Sequence, residues 1–120
     1  MELFDNMRII AYSAVMNYQQ AKTRAEILKA LAHPVRILIV NALSAGDRCV
    51  CELAPLVDID QSGLSRHLSI LKRVGVVTER RDGNKVIHHL HTPCILRAFE
   101  CALEVVRSGV EMKTLHLKAI

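Results

Sequence analysis

Asp60-Gln-Ser-Gly-Leu-Ser-Arg-His-Leu-Ser-Ile-Leu-Lys-Arg-Val74 is the stretch whose reading decides the fold. Leu64, Leu68 and Leu71 fall at i, i+4 and i+7, which lines one helix face with leucine and turns it inward. Ser62, Ser65, Arg66, Ser69 and Arg73 share another face. Short hydroxyls around an arginine let a helix come close to a polyanion and donate to phosphates and base edges without bulk. Asp60 is placed to cap the N-terminus and Gly75 to close the C-terminus. An amphipathic helix with a merely solvated polar face has the same pattern. The flanking segments separate the two readings.

Beyond Gly75, Val76–Arg81 and Lys85–His91 are rich in Val, Ile, Arg and His, with Asp82-Gly83-Asn84 between them as a hairpin turn. Arg80, Arg81 and Lys85 are expected to cluster near its tip. A basic hairpin after such a helix is a wing, suited to a phosphate backbone or minor groove. Upstream, Pro34 suits the first position of a helix that ends at Gly46. Asp47–Val57 reads as a short helix that either begins near Glu52 or is kinked there, because Pro55 cannot donate deep inside a helix. Short helix, short turn and polar-faced helix make a helix-turn-helix. The expected DNA-binding residues are Gln61, Ser62, Ser65, Arg66, His67, Ser69, Lys72, Arg73, Arg80, Arg81 and Lys85, with double-stranded operator DNA as the partner.

Charge agrees with position. The chain has 120 residues and a formal charge of +4, with a pI near 9.1. Across Asp60–Lys85, six Lys and Arg against three Asp and Glu leave +3 of that +4. The apolar share is 51% with no Trp, two Tyr and two Phe, so Leu, Ile, Val and Ala do the packing. The length suits one domain. Its expected parts are an N-terminal dimerisation helix (1–31), a winged-helix core (33–91) and a C-terminal dimerisation helix (92–118).

The two ends carry the dimer expectation. Leu3–Leu31 lacks Gly and Pro and reads as one long helix with Phe4, Met7, Ala11, Ala14, Tyr18, Ala21, Ala25 and Leu28 as its seam. Thr92 is the expected N-cap of the last helix, opened by Pro93, with Leu96, Phe99, Leu103, Val106 and Val110 in its seam. These seams exceed what a small winged core needs to bury, which points to a symmetric dimer with two reading heads. The fold class is mainly α with a β-hairpin, a winged helix-turn-helix that is homodimeric through its terminal helices. No secretory signal and no membrane-spanning run is read, so a cytoplasmic protein with reduced thiols and no membrane partner is expected.

Leu28-Lys-Ala-Leu-Ala-His-Pro-Val-Arg36, Cys49-Val-Cys-Glu-Leu53, the stretch from Asp60 to Lys72 and Arg81-Asp-Gly-Asn-Lys-Val-Ile-His-His-Leu90 together resemble the ArsR/SmtB family of bacterial metalloregulatory repressors. The resemblance covers roughly Ala25–Ala102. It implies a homodimer that binds its operator without inducer and releases it when a metal or metalloid binds, with no prosthetic group. Cys49-Val-Cys51 looks like the thiolate site of the arsenic, cadmium and lead sensors of that family. The zinc site that other members place between their C-terminal helices would fall on Thr92, Cys94, Val105 and Ser108, so it is absent. Arsenic sensors often add a third cysteine where this chain has Ala54.

The expected inducer is arsenic(III) or antimony(III), with cadmium, lead or thiol oxidation as alternatives. Cys49 and Cys51 are the expected ligands, and Cys94 is a candidate third. Two cysteines one residue apart point to the same side in extended chain and can chelate one soft ion. In a helix they point apart, so chelation favours unwinding the helix start. The alternative is a pair of small buried side chains. Cys94 is a third ligand, a redox-sensitive thiol or filler, and Cys101 reads as filler. His67 sits near the reading surface and could touch phosphate, while His88 reads as a hairpin contact rather than a ligand. A thiol–disulfide enzyme is disfavoured, because there is no Cys-x-x-Cys and no βαβ pattern.

Overall fold

Asn17 sets where the first helix begins. Its Oδ1 accepts from the Gln20 amide at 2.8 Å, and the Gln20 Oε1 accepts from the Asn17 amide at 3.0 Å. This reciprocal cap satisfies two donors that a helix N-terminus leaves open. In the computed structural model, which describes residues 15–109, helix α1 therefore runs Tyr18–Leu31. The single helix expected from Leu3 is corrected at this point, since residues 15–17 are not helical. Its part over 1–14 lies outside the described residues.

Helix α2 (Pro34–Ser44) starts on Pro34 as expected, with the His33 Nδ1 accepting from the Val35 amide at 3.1 Å. The next segment departs from the sequence reading. Arg48–Cys49 is a two-residue strand, β1, and helix α3 occupies Val50–Val57, beginning two residues before Glu52. The cause is pairing: Arg48 and Cys49 lie antiparallel to His88 and Ile87, which holds them extended up to the helix start. The Glu52 carboxylate accepts from the Cys49 amide at 3.0 Å and closes the entry. Pro55 is tolerated inside this eight-residue helix.

Asp58 ends α3 in the left-handed region at φ 54°. Ile59 and Asp60 complete the turn into helix α4 (Gln61–Arg73). A Cβ on Gly63 would come within 2.9 Å of the Asp60 carboxylate and 3.1 Å of the Ile59 side chain, so a larger residue there requires the cap to shift. Strands β2 (Val77–Asp82) and β3 (Lys85–Leu90) follow, with sheet order β1-β3-β2. Their two-residue turn has Gly83 at φ 68°, the first central position, where a type II′ turn needs glycine. Helix α5 spans Ile95–Ser108 with Cys94, not Thr92, at its N-cap. The Thr92 carbonyl accepts from the Ile95 amide at 3.1 Å, while its buried hydroxyl has no partner among the described residues. A tight backbone turn thus replaces the expected side-chain cap. Residues 110–118 of the expected last helix lie outside the described ones.

The core gathers Leu31, Ile39, Val40, Leu43, Leu53, Val57, Leu64, Leu68, Leu71, Val76, Val77 and Leu90. Each such side chain contributes about 1.5–3 kcal/mol on full burial. The leucine face of α4 is therefore clamped by α2, α3 and the hairpin, and its other face is left outward. The terminal helices are different. Helix α1 gives the core Ala30 and Leu31, while Tyr18 stays 81% and Leu28 60% exposed. Tyr18, Ala21, Ala25 and Leu28, the expected seam, all face away from the chain's own core. Leu96, Phe99, Leu103 and Val106 of α5 are half-buried. No single helix among the described residues is long and apolar enough to cross a membrane.

Candidate nucleic-acid interface and cysteine pair

Helix α4 presents Gln61, Ser62, Ser65, Arg66, Ser69 and Arg73 as exposed residues, all clear of the leucine face. Asp60 accepts from the Gly63 amide at 3.3 Å. It also accepts from the Ser62 hydroxyl, so Ser62 is part of the cap. These bonds, the Ser62 hydroxyl first, hold the Asp60 carboxyl below the usual range. Lys72 is half-buried and paired with Glu79 of β2, a bond that holds the Glu79 carboxyl low. Among the described residues Arg66 and Arg73 make no ion pair.

His67 is turned toward α2 rather than outward to a phosphate. Its Nδ1 accepts from the Arg36 Nε at 3.1 Å, and its ring lies 4.5 Å from that of His33. Burial, followed by the charges of His33, Arg36 and Arg66, pushes its pKa down. The neutral ring, with Nδ1 free to accept, is what the arginine requires. Arg36 also donates to the Ala30 carbonyl at 3.2 Å, tying the end of α1 to the reading helix.

The wing does not gather its three cations at the tip. Neighbours in a strand face opposite sides, so Arg80 and Arg81 diverge. The Arg80 Nη1 donates to the Asp47 Oδ2 at 2.6 Å, and the His89 Nδ1 lies 2.8 Å from the Asp47 Oδ1. His89 first and then Arg80 keep the Asp47 carboxyl below its ordinary value. Arg81 and Lys85 are exposed and make no ion pair among the described residues. His88 is buried, with its Nε2 3.7 Å from the Glu79 carboxylate and its Nδ1 without a partner. Burial lowers its pKa against the opposing pull of Glu79.

Cys49 and Cys51 are joined by a disulfide, their Cα atoms 5.3 Å apart. This corrects the expectation of four thiols: in the oxidised form Cys49 and Cys51 offer no thiolate, and a ligand pair exists only in the reduced form. The local reason is the backbone: Cys49 is extended and Cys51 lies in the first turn of α3, which brings the two side chains together. Cys49 is buried and Cys51 exposed. Cys94 and Cys101 are free and exposed. Among the described residues of one chain no three His, Cys, Asp or Glu side chains cluster as a metal site. Reduction would give two soft thiolates, a donor set that fits a thiophilic ion.

A family model described as "Bacterial regulatory protein, arsR family" matches residues 33–79, from His33 into β2, the first strand of the wing. The uncharacterized HTH-type transcriptional regulator Rv0081 of Mycobacterium tuberculosis H37Rv is 43% identical over 86 residues, 71% of this chain and 75% of that protein. The chain belongs to the ArsR family. The crystal structure of Rv0081 matches at a TM-score of 0.66 and 40% identity, covering 76% of this chain and 92% of that one. The arsenical resistance operon repressor of Staphylococcus xylosus is 37% identical over 63% of this chain and 70% of its own length. The solution structure of the homodimeric winged helix-turn-helix domain of Mb0332 from Mycobacterium bovis matches at a TM-score of 0.65 and 25% identity, over 86% of this chain and 96% of that one.

An ArsR-family protein is a transcriptional regulator and not an enzyme, and helix α4 with its wing is the DNA-binding architecture of such a regulator. Three residues of this ArsR-family chain escaped the sequence reading as contributors to the site: Asp47, His89 and Arg36. Arg36 stood inside the quoted stretch ending at Arg36, but its tie to His67 spans 31 positions. Asp47 and His89 are 42 positions apart and carry no local signal.

Proposed function

We propose that this regulator is a homodimeric repressor that holds a double-stranded operator with α4 and the wing and releases it when the Cys49/Cys51 pair is bridged by arsenic(III) or antimony(III). Gln61, Ser65, Arg66 and Ser69 are the base-edge readers. Arg73, Arg81 and Lys85 are the phosphate contacts. Ser62, Lys72, Arg80 and His67 support this surface from within it. The observation that carries the sensing role is the meeting of the two cysteines where β1 becomes α3. Helix α3 packs on α4 through the shared core, so a change of backbone at the pair has a short route to the reading helix.

In the reduced chain, two thiols displace two hydroxyls of arsenous acid, forming two As–S bonds and releasing two waters. The third position stays with hydroxide or passes to a small exogenous thiol. Cys49→Ser and Cys51→Ser are expected to bind operator nearly as the wild type does and to lose release by arsenite, since a hydroxyl is a poor ligand for a soft centre. Cys94→Ser is expected to keep its response. Operator titrations with and without arsenite decide this: release of both serine variants at wild-type arsenite concentrations would move the inducer site elsewhere. Cadmium and lead belong in the same titration. Leu103→Glu and Val106→Glu place charge in the α5 seam and are expected to sediment as monomers that bind operator poorly.

The disulfide favours a second reading, in which oxidation itself is the signal. Two thiols give two electrons and two protons to a peroxide, forming the S–S bond and two waters. Release by peroxide without arsenite, reversed by dithiothreitol, would select this reading.

A further inference from the structure

We propose that Asp47 is the joint through which the state of the Cys49/Cys51 pair reaches the wing. The proposal rests on the reading of that pair as the sensor. Asp47 lies two residues before Cys49, and its carboxylate gives one oxygen to each wing strand. Oδ2 accepts from Arg80 of β2 at 2.6 Å, and Oδ1 meets Nδ1 of His89 of β3 at 2.8 Å. Between Asp47 and the helix, Arg48 and Cys49 pair with His88 and Ile87 of β3. The segment that carries the buried cysteine is thus fastened to the wing twice, by a backbone ladder and by a carboxylate spanning both strands.

A change at Cys49 therefore has two outlets. One runs forward through α3 to α4. The other runs backward through β1 and Asp47 to the hairpin, and it changes the angle at which Arg81 and Lys85 meet a phosphate backbone. The ion pair itself adds little stability, because the Asp47 and Arg80 side chains are 31% and 56% exposed and water screens their attraction. Its effect is geometric, because one carboxylate bonded to both strands biases them to move with residue 47. The expected signature follows: loss of Asp47 leaves the fold, the sensor and the route through α3 intact and weakens the wing's share of the response.

The test compares full-length wild type with Asp47→Ala. Operator affinity is measured for the reduced and arsenite-loaded forms, with arsenite stoichiometry and hydrogen exchange of the Arg80–His89 amides followed in parallel. A Cys94→Ser/Cys101→Ser background repeats the comparison with peroxide. For the wild type the affinity ratio between the two forms is expected to be at least about fivefold, the lower end of ordinary allosteric coupling. Asp47→Ala is expected to bind arsenite with unchanged stoichiometry, to lower the ratio by at least about twofold while the α3 route keeps it above unity, and to reduce the exchange response of the wing. A purely structural role would weaken both forms alike and keep the wild-type ratio, which would overturn the inference while leaving the sensor reading standing. Lost arsenite binding in Asp47→Ala would place the residue in the sensor and overturn its role as joint. A wild-type ratio of one with both arsenite and peroxide would overturn the inference together with the reading beneath it.

Discussion

Helix α4 and the wing both carry exposed basic residues, but they hold them differently. Among the described residues Arg66 and Arg73 make no ion pair, and they stand beside Ser65, Ser69 and Gln61 on a helix whose opposite face is locked into the core. On the wing, Arg80 is tethered to Asp47, and Arg81 and Lys85 near the turn are untethered. A side chain with no protein partner is available to read. One already committed to a carboxylate sets position. The helix is a rigid surface with free side chains, whereas the wing is a thin hairpin steered from the cysteine segment.

The largest expected effect of breaking this contrast is on the helix. Arg66→Ala should cost about 1–3 kcal/mol of operator binding while leaving nonspecific binding close to wild type, as competition between operator and random duplex would measure. Equal losses on both duplexes would make Arg66 a phosphate contact. The wing should respond more weakly and in another way. Arg81→Ala should weaken binding to all sequences alike and lower the slope of log affinity against log salt by about 1. Arg80→Ala should change that slope less, because its guanidinium is already paired with Asp47. Equal slopes would mean that the tether opens on DNA.

The smallest effect concerns pH and touches both regions, through His67 under the helix and His88 under the wing. Burial holds both below the ordinary histidine value of 6.5. A lowered folded pKa means that the unfolded chain takes up protons first. Stability should therefore be full above 6.5 and decline as pH falls through the folded values. Urea midpoints at about pH 7.5 and about pH 5.5 would read this. His67→Gln, which keeps an acceptor for Arg36, should flatten part of the decline.

Much of this architecture was legible because it is local. The leucine spacing of α4, the Asp60 cap and the Gly83 turn are each written within a few residues. The Asn17–Gln20 cap was equally local, but the apolar spacing that runs through it concealed it. What the sequence could not carry is what depends on distant partners. Strand β1 exists because β3 lies beside it. His67 faces inward because Arg36 draws it, and Arg80 leaves the tip because Asp47 holds it. The cysteine pair closes because Cys49 is extended by its pairing with β3 while Cys51 is helical, which the spacing of the two residues alone does not specify.

The entrance of α4 also limits how such a protein can be recoded. Asp60, Ser62 and Gly63 are committed to starting the helix: carboxylate, hydroxyl and a missing Cβ fit one another within a single turn. A variant library aimed at a different target sequence should leave those three positions untouched. Its diversity belongs at Gln61, Ser65, Arg66 and Ser69, four exposed positions on a helix held in place by its leucines. The working alphabet of the reading head is therefore shorter than its exposed surface suggests.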